Sequence, residues 1–89
     1  MLWTLRLEKR VEKKLRRLTP KDQRLIRTAL QELQADPWTA RLAPLQHQPT
    51  GYRLEVGNWR LPTEVYADEL LIVVSDLLRR TTTTYRKRH

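Results

Sequence analysis

The sequence predicts an α+β fold in which a helical hairpin packs on one face of a small, mostly antiparallel sheet. Two amphipathic helical segments follow a short strand, and three strand-like segments come after them, so the predicted order is β-α-α-β-β-β. A chain of 89 residues buries only about 60–65% of the surface that it exposes when unfolded. We therefore expect residues 1–89 to form a single domain with one modest core.

The first strand and the first helix are predicted from the spacing of their apolar residues. Alternation typical of a strand places three apolar side chains on one face: Trp3, Leu5 and Leu7. The spacing then becomes helical, with an apolar stripe that consists of Leu7, Val11, Leu15 and Leu18. The intervening positions are mostly Lys and Arg, which indicates that the opposite side of this helix faces solvent.

The second helix is predicted from its start and stop signals. Thr19 is placed to cap the N-terminus, and Pro20 fits the first helical position, where no backbone N–H is needed. The Asp36-Pro37 pair ends the helix, because the residue before a proline avoids the α-helical region. The connection between the two helices is very short, so they are expected to lie antiparallel.

A β-hairpin around Gly57-Asn58 is the strongest local signal in the sequence. Residues 38–51 come before it and show no sustained period, which predicts a loop. A two-residue turn places Glu55 opposite Arg60 and Arg53 opposite Pro62. The apolar positions of the hairpin then point toward the helices: Tyr52, Leu54, Val56, Trp59, Leu61 and Val65.

The second half of the sheet leaves two questions open. Pro62 lacks a backbone N–H, so its strand is expected either to be an edge there or to be locally bulged. Asp68-Glu69 predicts a turn, and residues 70–74 are apolar at every position, as in a strand that is covered on both faces or central in the sheet. The threonines at 81–84 favour a last strand or an ordered tail.

Composition excludes several classes of function. The 18 Lys and Arg against 10 Asp and Glu give a net charge of +8, which attracts polyanions. The chain has no cysteine, so disulfides, thiolate nucleophiles and Cys-ligated zinc are excluded. It has two isolated histidines and no glycine-rich phosphate loop, and we expect neither a metal nor a small-molecule cofactor. No apolar run approaches the roughly 18 residues of a membrane span, and no signal-like segment appears, so a cytoplasmic protein is expected.

The hairpin is predicted to carry four charged side chains on the face away from the helices: Arg53, Glu55, Arg60 and Glu64. One interpretation is a cross-strand ion pair between Glu55 and Arg60, worth about 0.2–1 kcal/mol. The other is a polyanion-binding surface, joined by residues of the last segment: Arg79, Arg80 and Tyr85. RNA supplies its own nucleophile, the 2′-OH, so arginines that neutralise the phosphate and a nearby proton-transfer group suffice to cleave it.

Three segments together resemble the RelE/ParE superfamily of toxins from type II toxin–antitoxin modules, with the RelE branch favoured. They are the hairpin sequence YRLEVGNWRL at 52–61, the apolar strand at 70–74, and the basic end of the chain around Thr84-Tyr85-Arg86. The order of elements matches over nearly the whole chain. The resemblance implies a ribosome-dependent endoribonuclease that cuts mRNA in the ribosomal A site through the RNA 2′-OH, without metal. It also implies three partners, which are an antitoxin protein, mRNA and rRNA.

The resemblance assigns roles to individual residues by position. Arg53 is similar to the basic residue that helps to activate the 2′-OH, and Arg60 to the arginine that clamps the phosphate. Arg79, or Arg80 if the register moves by one residue, is similar to the arginine that stabilises the transition state or protonates the leaving oxygen. Tyr85 is similar to the tyrosine that stacks on or orients the scissile nucleotide. Further RNA contacts are expected from basic residues near the end of the chain: Arg80, Arg86, Lys87 and Arg88.

Two alternatives to a ribonuclease remain open. A ParE-like protein would inhibit DNA gyrase by binding, and Tyr85 argues against it because ParE-type chains usually lack that tyrosine. A catalytically degenerate protein would bind nucleic acid without turnover. Glu55 favours this second alternative, because RelE-type enzymes often carry a lysine at its position and a carboxylate weakens the field at the phosphate; it could instead act as a base.

Overall fold

The computed structural model describes residues 3–79, which form one sheet and two helices. The elements in chain order are β1 (Thr4–Leu7), α1 (Lys9–Arg16), α2 (Pro20–Ala35), β2 (Leu42–Pro44), β3 (Gly51–Val56), β4 (Trp59–Tyr66), a 3₁₀ turn (Ala67–Glu69), β5 (Leu71–Val74) and β6 (Leu78–Arg79). The strand order is β1-β5-β4-β3-β2, and β6 pairs with β4. The β1–β5 pair is parallel and the other pairs are antiparallel, which confirms the predicted fold class.

The two helices form the predicted hairpin, and the expected signals set both ends of α2. The Thr19 hydroxyl accepts a hydrogen bond from the backbone N–H of Asp22 at 3.2 Å, and Pro20 is the first residue of the helix. The helix ends at Ala35, just before the residue that precedes Pro37. Within residues 3–79, no helix is long and apolar enough to cross a bilayer.

The hydrophobic core lies between the helices and one face of the sheet. Its helical residues are Val11, Leu15, Ile26, Leu30 and Leu33, and its strand residues are Leu54, Val56, Leu61, Val65, Ile72 and Val74. Thr63 is a buried polar residue in this layer, and its hydroxyl donates to the carbonyl oxygen of Leu61 at 2.9 Å. The predicted apolar face of the hairpin is therefore the face that packs under the helices.

Strand β2 corrects the prediction of a loop over residues 38–51. It pairs antiparallel with β3, with Leu42 opposite Leu54 and Pro44 opposite Tyr52. The backbone N–H of Leu45 donates to the carbonyl oxygen of Gly51 in β3 at 3.0 Å. Successive residues of an edge strand point their backbone polar groups alternately toward the partner strand and away from it, so the nitrogen of Pro44 faces the free edge. A three-residue edge strand that contains proline is too short to show a period of two, which is why the sequence does not predict it.

Strand β5 is central, as its uninterrupted apolar sequence predicts. It lies between β1 and β4, so both of its edges are hydrogen-bonded. Ile72 faces the core, whereas Val73 lies on the other face and is still only 7% exposed. The predicted turn before β5 is the 3₁₀ turn, after which Leu70 adopts a left-handed conformation with φ of 51°.

Pro62 lies inside β4 with a neighbouring segment on each side, so it is not at an edge. It is opposite Arg53 on the β3 side. On the other side its carbonyl oxygen accepts hydrogen bonds from the backbone N–H of Ser75 at 2.9 Å and from the Ser75 hydroxyl at 3.2 Å. In an antiparallel sheet the backbone nitrogen and oxygen of a residue point to the same neighbouring strand. The nitrogen of Pro62, which carries no hydrogen, therefore also faces Ser75. Neither alternative describes β4 itself: it is not an edge here, and the local bulge lies instead in the segment that faces the proline.

The bulge occupies residues 75–77, between β5 and β6. Thr63 pairs with Val74 before it, and Trp59 pairs with Arg79 after it, so the register shifts by one residue across the segment. A shift of one residue exchanges the two faces of a strand. In an unbroken strand Leu78 would lie on the helix side and Arg79 on the open side. The bulge exchanges these two positions.

Candidate anion-binding site on the open face of the sheet

The face of the sheet opposite the helices carries the charged residues that the sequence places there. Glu55 pairs with Arg60 across the hairpin, and Arg53 pairs with Pro62. Because these positions alternate with core residues, their side chains leave the sheet on the side away from the helices. The exposed fractions of the three charged side chains are 36% for Arg53, 42% for Arg60 and 30% for Glu55, so each can reach a ligand while it remains held by the sheet.

Glu55 joins the two arginines through one oxygen atom. Its Oε2 lies 2.8 Å from Nε of Arg53 and 3.4 Å from Nη2 of Arg60. The predicted cross-strand ion pair is therefore present, and Arg53 adds a second cation to the same carboxylate. The Nε atoms of both arginines are buried without an aligned hydrogen-bond acceptor, so the short contact of Arg53 is an ion pair rather than a hydrogen bond. Two guanidinium groups against one carboxylate leave this cluster positively charged.

A shallow cavity of about 470 Å³ opens beside the cluster. Its lining residues are Arg41, Leu42, Ala43, Arg53, Glu55 and Gly57. Sequence reasoning missed Arg41 as a site residue, because the segment that contains it was predicted to be a loop. A signal was present, since Arg41, Arg53 and Arg60 are the only Lys or Arg residues between positions 28 and 78. Arg41 and Arg53 line the cavity, and Arg60 is ion-paired with Glu55, which lines it as well. Such a set of arginines suits an anion with several oxygen atoms, such as a phosphodiester.

Arg79 lies away from this cluster. It pairs with Trp59, and its guanidinium carbon lies 5.1 Å from the centroid of the Trp59 ring. Directly paired residues of neighbouring strands share a face, so Arg79 lies on the helix side and Leu78 is the β6 residue next to Arg60 on the open side. Of the residues predicted to be catalytic, the structure brings Arg53 and Arg60 together and does not bring Arg79 to them.

The other predicted site residues lie outside the described part of the chain, and they are Arg80, Tyr85, Arg86, Lys87 and Arg88. The predicted strand at 81–84 lies there as well. Within residues 3–79, no three His, Asp or Glu side chains come together as a candidate metal site.

The bulge beside the site is held to helix α1 by Asp76. Its Oδ1 accepts hydrogen bonds from Nζ of Lys14 at 2.8 Å and from the backbone N–H of Leu77 at 2.7 Å. Arg10 lies 3.9 Å from its other oxygen. The hydrogen bond from Lys14, with smaller contributions from Leu77 and Arg10, holds the pKa of Asp76 below its ordinary value, although burial opposes this shift. The bulge that determines where Arg79 points is thus fixed to the helical layer.

Comparison with known proteins gives matches by structure but not by sequence. Neither a protein-family model nor a curated protein matches this chain. The isolated E. coli RelE toxin superimposes with a TM-score of 0.77 at 18% identity, over 96% of this chain and 93% of that chain. The archaeal RelE–RelB complex from Pyrococcus horikoshii OT3 gives a TM-score of 0.81 at 21% identity, over 92% of this chain and 99% of that chain.

A third match is a mutant E. coli RelE toxin in complex with a peptide of the antitoxin RelB. It gives a TM-score of 0.76 at 19% identity, over 100% of this chain and 99% of that chain. These likenesses extend over nearly the full length of both partners. They show that this chain has the fold of RelE toxins, as the resemblance in sequence predicts.

Proposed function

We propose that this protein is the toxin of a type II toxin–antitoxin pair and that it cleaves mRNA at the ribosome. The observation that carries the proposal is the pair of arginines, Arg53 and Arg60, on the open sheet face of a RelE-like fold. Several structures with this fold are RelE toxins in complex with RelB antitoxins, which supports a protein antitoxin as a partner. Because the target would be the ribosome, the protein would act in the cytoplasm.

The arginine pair suits a reaction in which the RNA supplies the nucleophile. When a 2′-OH attacks the adjacent phosphorus, negative charge builds up on the non-bridging oxygens. Guanidinium groups remain charged at any physiological pH and donate several hydrogen bonds in one plane. If they fit the five-coordinate phosphorus better than the starting phosphodiester, they lower the barrier to cleavage. The products are a 2′,3′-cyclic phosphate and a 5′-hydroxyl.

In this proposal, Arg53 and Arg60 hold the scissile phosphate, and Arg41 contacts a neighbouring phosphate across the cavity. Tyr85 would stack on or orient the scissile nucleotide, and further RNA contacts would come from Arg80, Arg86, Lys87 and Arg88. A direct role for Arg79 requires its guanidinium to leave the indole of Trp59. An exposed cation–π contact is worth only about 0.5–1 kcal/mol, so a phosphate could compete for this side chain.

The net charge of +8 supports both kinds of partner. A strongly basic surface speeds association with rRNA and mRNA, and the affinity is expected to fall steeply as salt rises. The same surface would attract an antitoxin segment that carries acidic side chains, which would cover the arginines and block RNA.

The test is expression of the wild type and single variants in a bacterial host, with 5′-hydroxyl ends mapped on translated messages within minutes of induction. We expect codon-phased cuts in the wild type and their loss, by about 10²-fold or more, in Arg60→Ala. Arg27→Ala is the matched control, because it removes the same charge from an exposed position on helix α2. Co-expression of the neighbouring reading frame should restore growth.

Three results would contradict the proposal. Phased cuts that persist in Arg60→Ala would exclude a role for the arginine pair. Growth arrest with intact messages would favour inhibition of DNA gyrase. Normal growth and intact messages, together with salt-sensitive binding of RNA by the purified protein, would identify a nucleic-acid-binding protein without turnover.

A further inference from the structure

The cleavage step needs a group that accepts the proton of the 2′-OH, and the two arginines are unsuited to this task. An arginine side chain does not give up its proton in a protein, so it has no free acceptor for another. A carboxylate is a suitable acceptor. Among the described residues, Glu55 is the carboxylate that forms ion pairs with both Arg53 and Arg60.

We propose that Glu55 is the general base that activates the RNA 2′-OH, an inference that rests on the proposed ribonuclease function. The argument is one of position. The 2′-OH that attacks is attached to the same ribose as the scissile phosphate, so a base for it must lie beside the phosphate-binding groups. Glu55 meets this requirement, since one of its oxygen atoms lies 2.8 Å from Arg53 and 3.4 Å from Arg60.

The neighbouring cavity gives the ribose a place next to this carboxylate. Glu55, Arg53 and Arg41 all line the opening of about 470 Å³. A nucleotide that enters this cavity brings its phosphate to the guanidinium groups and its sugar to Glu55. The two ion pairs also restrict the carboxylate to one position before RNA binds, which favours a geometry close to that of proton transfer.

The cleavage step needs no reagent other than water. A carboxylate oxygen of Glu55 takes the proton of the 2′-OH while the 2′-oxygen forms a bond to phosphorus. The bond between phosphorus and the 5′-oxygen breaks, and that oxygen takes a proton from a water molecule. Protonated Glu55 then gives its proton to the hydroxide that remains, so that the carboxylate and the water are both regenerated.

A purely electrostatic role for Glu55 makes the opposite prediction. A carboxylate between two arginines weakens their field at a bound phosphate, so its removal would strengthen RNA binding and, with no base lost, leave cleavage equal or faster. A general base contributes about 10²–10⁴-fold to the rate, so its removal must slow the chemistry even when binding improves. Substitution of Glu55 with a neutral residue of the same shape therefore separates the two roles.

The experiment compares the wild type with Glu55→Gln on programmed ribosomes, with cleavage measured in a single turnover. We expect the cleavage rate to fall at least about 10²-fold in the variant. Binding is measured separately with a message that carries a 2′-O-methyl group at the scissile nucleotide, which cannot be cleaved, and should be unchanged or tighter. Glu12→Gln is the matched control, because it removes the same charge from an exposed position on helix α1.

Chemical rescue gives a second readout. Acetate in the buffer should restore part of the activity of Glu55→Ala, because it supplies a carboxylate base, but it should not restore Arg60→Ala. Circular dichroism checks that each variant is folded. The result that overturns the proposal is cleavage by folded Glu55→Gln at the wild-type rate or faster. A wild type that cleaves no message overturns the ribonuclease function and the base together, whereas an active wild type with an equally active Glu55→Gln overturns the base alone.

Discussion

The guanidinium of Arg79 lies over the indole of Trp59, 5.1 Å from the ring centroid, on the helix side of the sheet. This relationship is a consequence of the bulge at residues 75–77, which shifts the register by one residue. An unbroken strand would have placed Arg79 on the open face, where Arg60 lies.

Arg79→Ala is therefore expected to act mainly on stability. Loss of an exposed cation–π contact should lower the free energy of unfolding by about 0.5–1 kcal/mol, measured by urea denaturation with the fluorescence of Trp59 as one reporter. Cleavage should fall less than it does in Arg60→Ala. If the two variants lose cleavage equally, Arg79 leaves the indole when RNA binds and acts on the substrate directly.

The ion pairs of Asp76 predict a pH-dependent contribution to stability. The pKa of Asp76 is lower in the folded protein than the ordinary aspartate value of 3.8, chiefly because Lys14 donates a hydrogen bond to it. A carboxyl group whose pKa is lowered on folding stabilises the protein at pH values above its unfolded-state pKa. This stabilisation is lost as the pH falls through the folded-state pKa. We expect Asp76→Asn to be less stable than the wild type by about 1 kcal/mol near neutral pH, with the difference shrinking progressively as the pH falls below about 4.

Urea denaturation of both proteins at several pH values checks this prediction. Asp68→Asn is the control, because Asp68 is an exposed residue of the 3₁₀ turn and its substitution removes the same charge. A stability difference for Asp76→Asn that stays constant from neutral pH to pH 3 would show that the ion pairs of Asp76 do not stabilise the bulge.

The conformation of the hairpin turn predicts that substitution of Gly57 destabilises the protein. This residue has φ of 56°, a conformation that strains a residue with a Cβ atom, and an added Cβ would lie 3.1 Å from Cδ2 of Leu25. Gly57→Ala is expected to lower the free energy of unfolding by about 1–2 kcal/mol. Asn58→Ala is the matched control in the same turn, because Asn58 does not have a positive φ. Equal stability of the two variants would contradict the strain at Gly57.

Tyr66 is expected to titrate at higher pH than an ordinary tyrosine. Its hydroxyl donates a hydrogen bond to Oε1 of Glu64 at 2.8 Å, and this bond is the largest cause that raises the pKa of the phenol above 10.0. The bond is made by the protonated phenol, so it is present below pH 10 and is lost as the pH rises through the folded-state pKa. NMR titration of labelled tyrosines should show the Tyr66 pKa return toward 10 in Glu64→Gln. An unchanged pKa in that variant would contradict this assignment.

The sequence by itself determined the elements whose signals are local. The cap at Thr19 and the proline at position 37 set the two ends of helix α2, each through residues next to it in the sequence. The Gly57-Asn58 turn sets the register of the two strands that it joins. From that register follow the core face of the hairpin and the neighbouring positions of Glu55 and Arg60. Each of these features depends on backbone conformation over short distances, so it can be predicted without knowledge of the rest of the fold.

Only the tertiary structure decided the features that depend on contacts between distant segments. Arg41 lines the cavity because the edge strand that follows it, β2, pairs with β3. A strand of three residues is too short to show an alternating pattern in the sequence. The bulge at 75–77 forms where Ser75 meets the carbonyl of Pro62 and where Asp76 meets Lys14 of helix α1. Side chains alternate between the faces of a strand, so this single inserted residue determines on which face Arg79 lies.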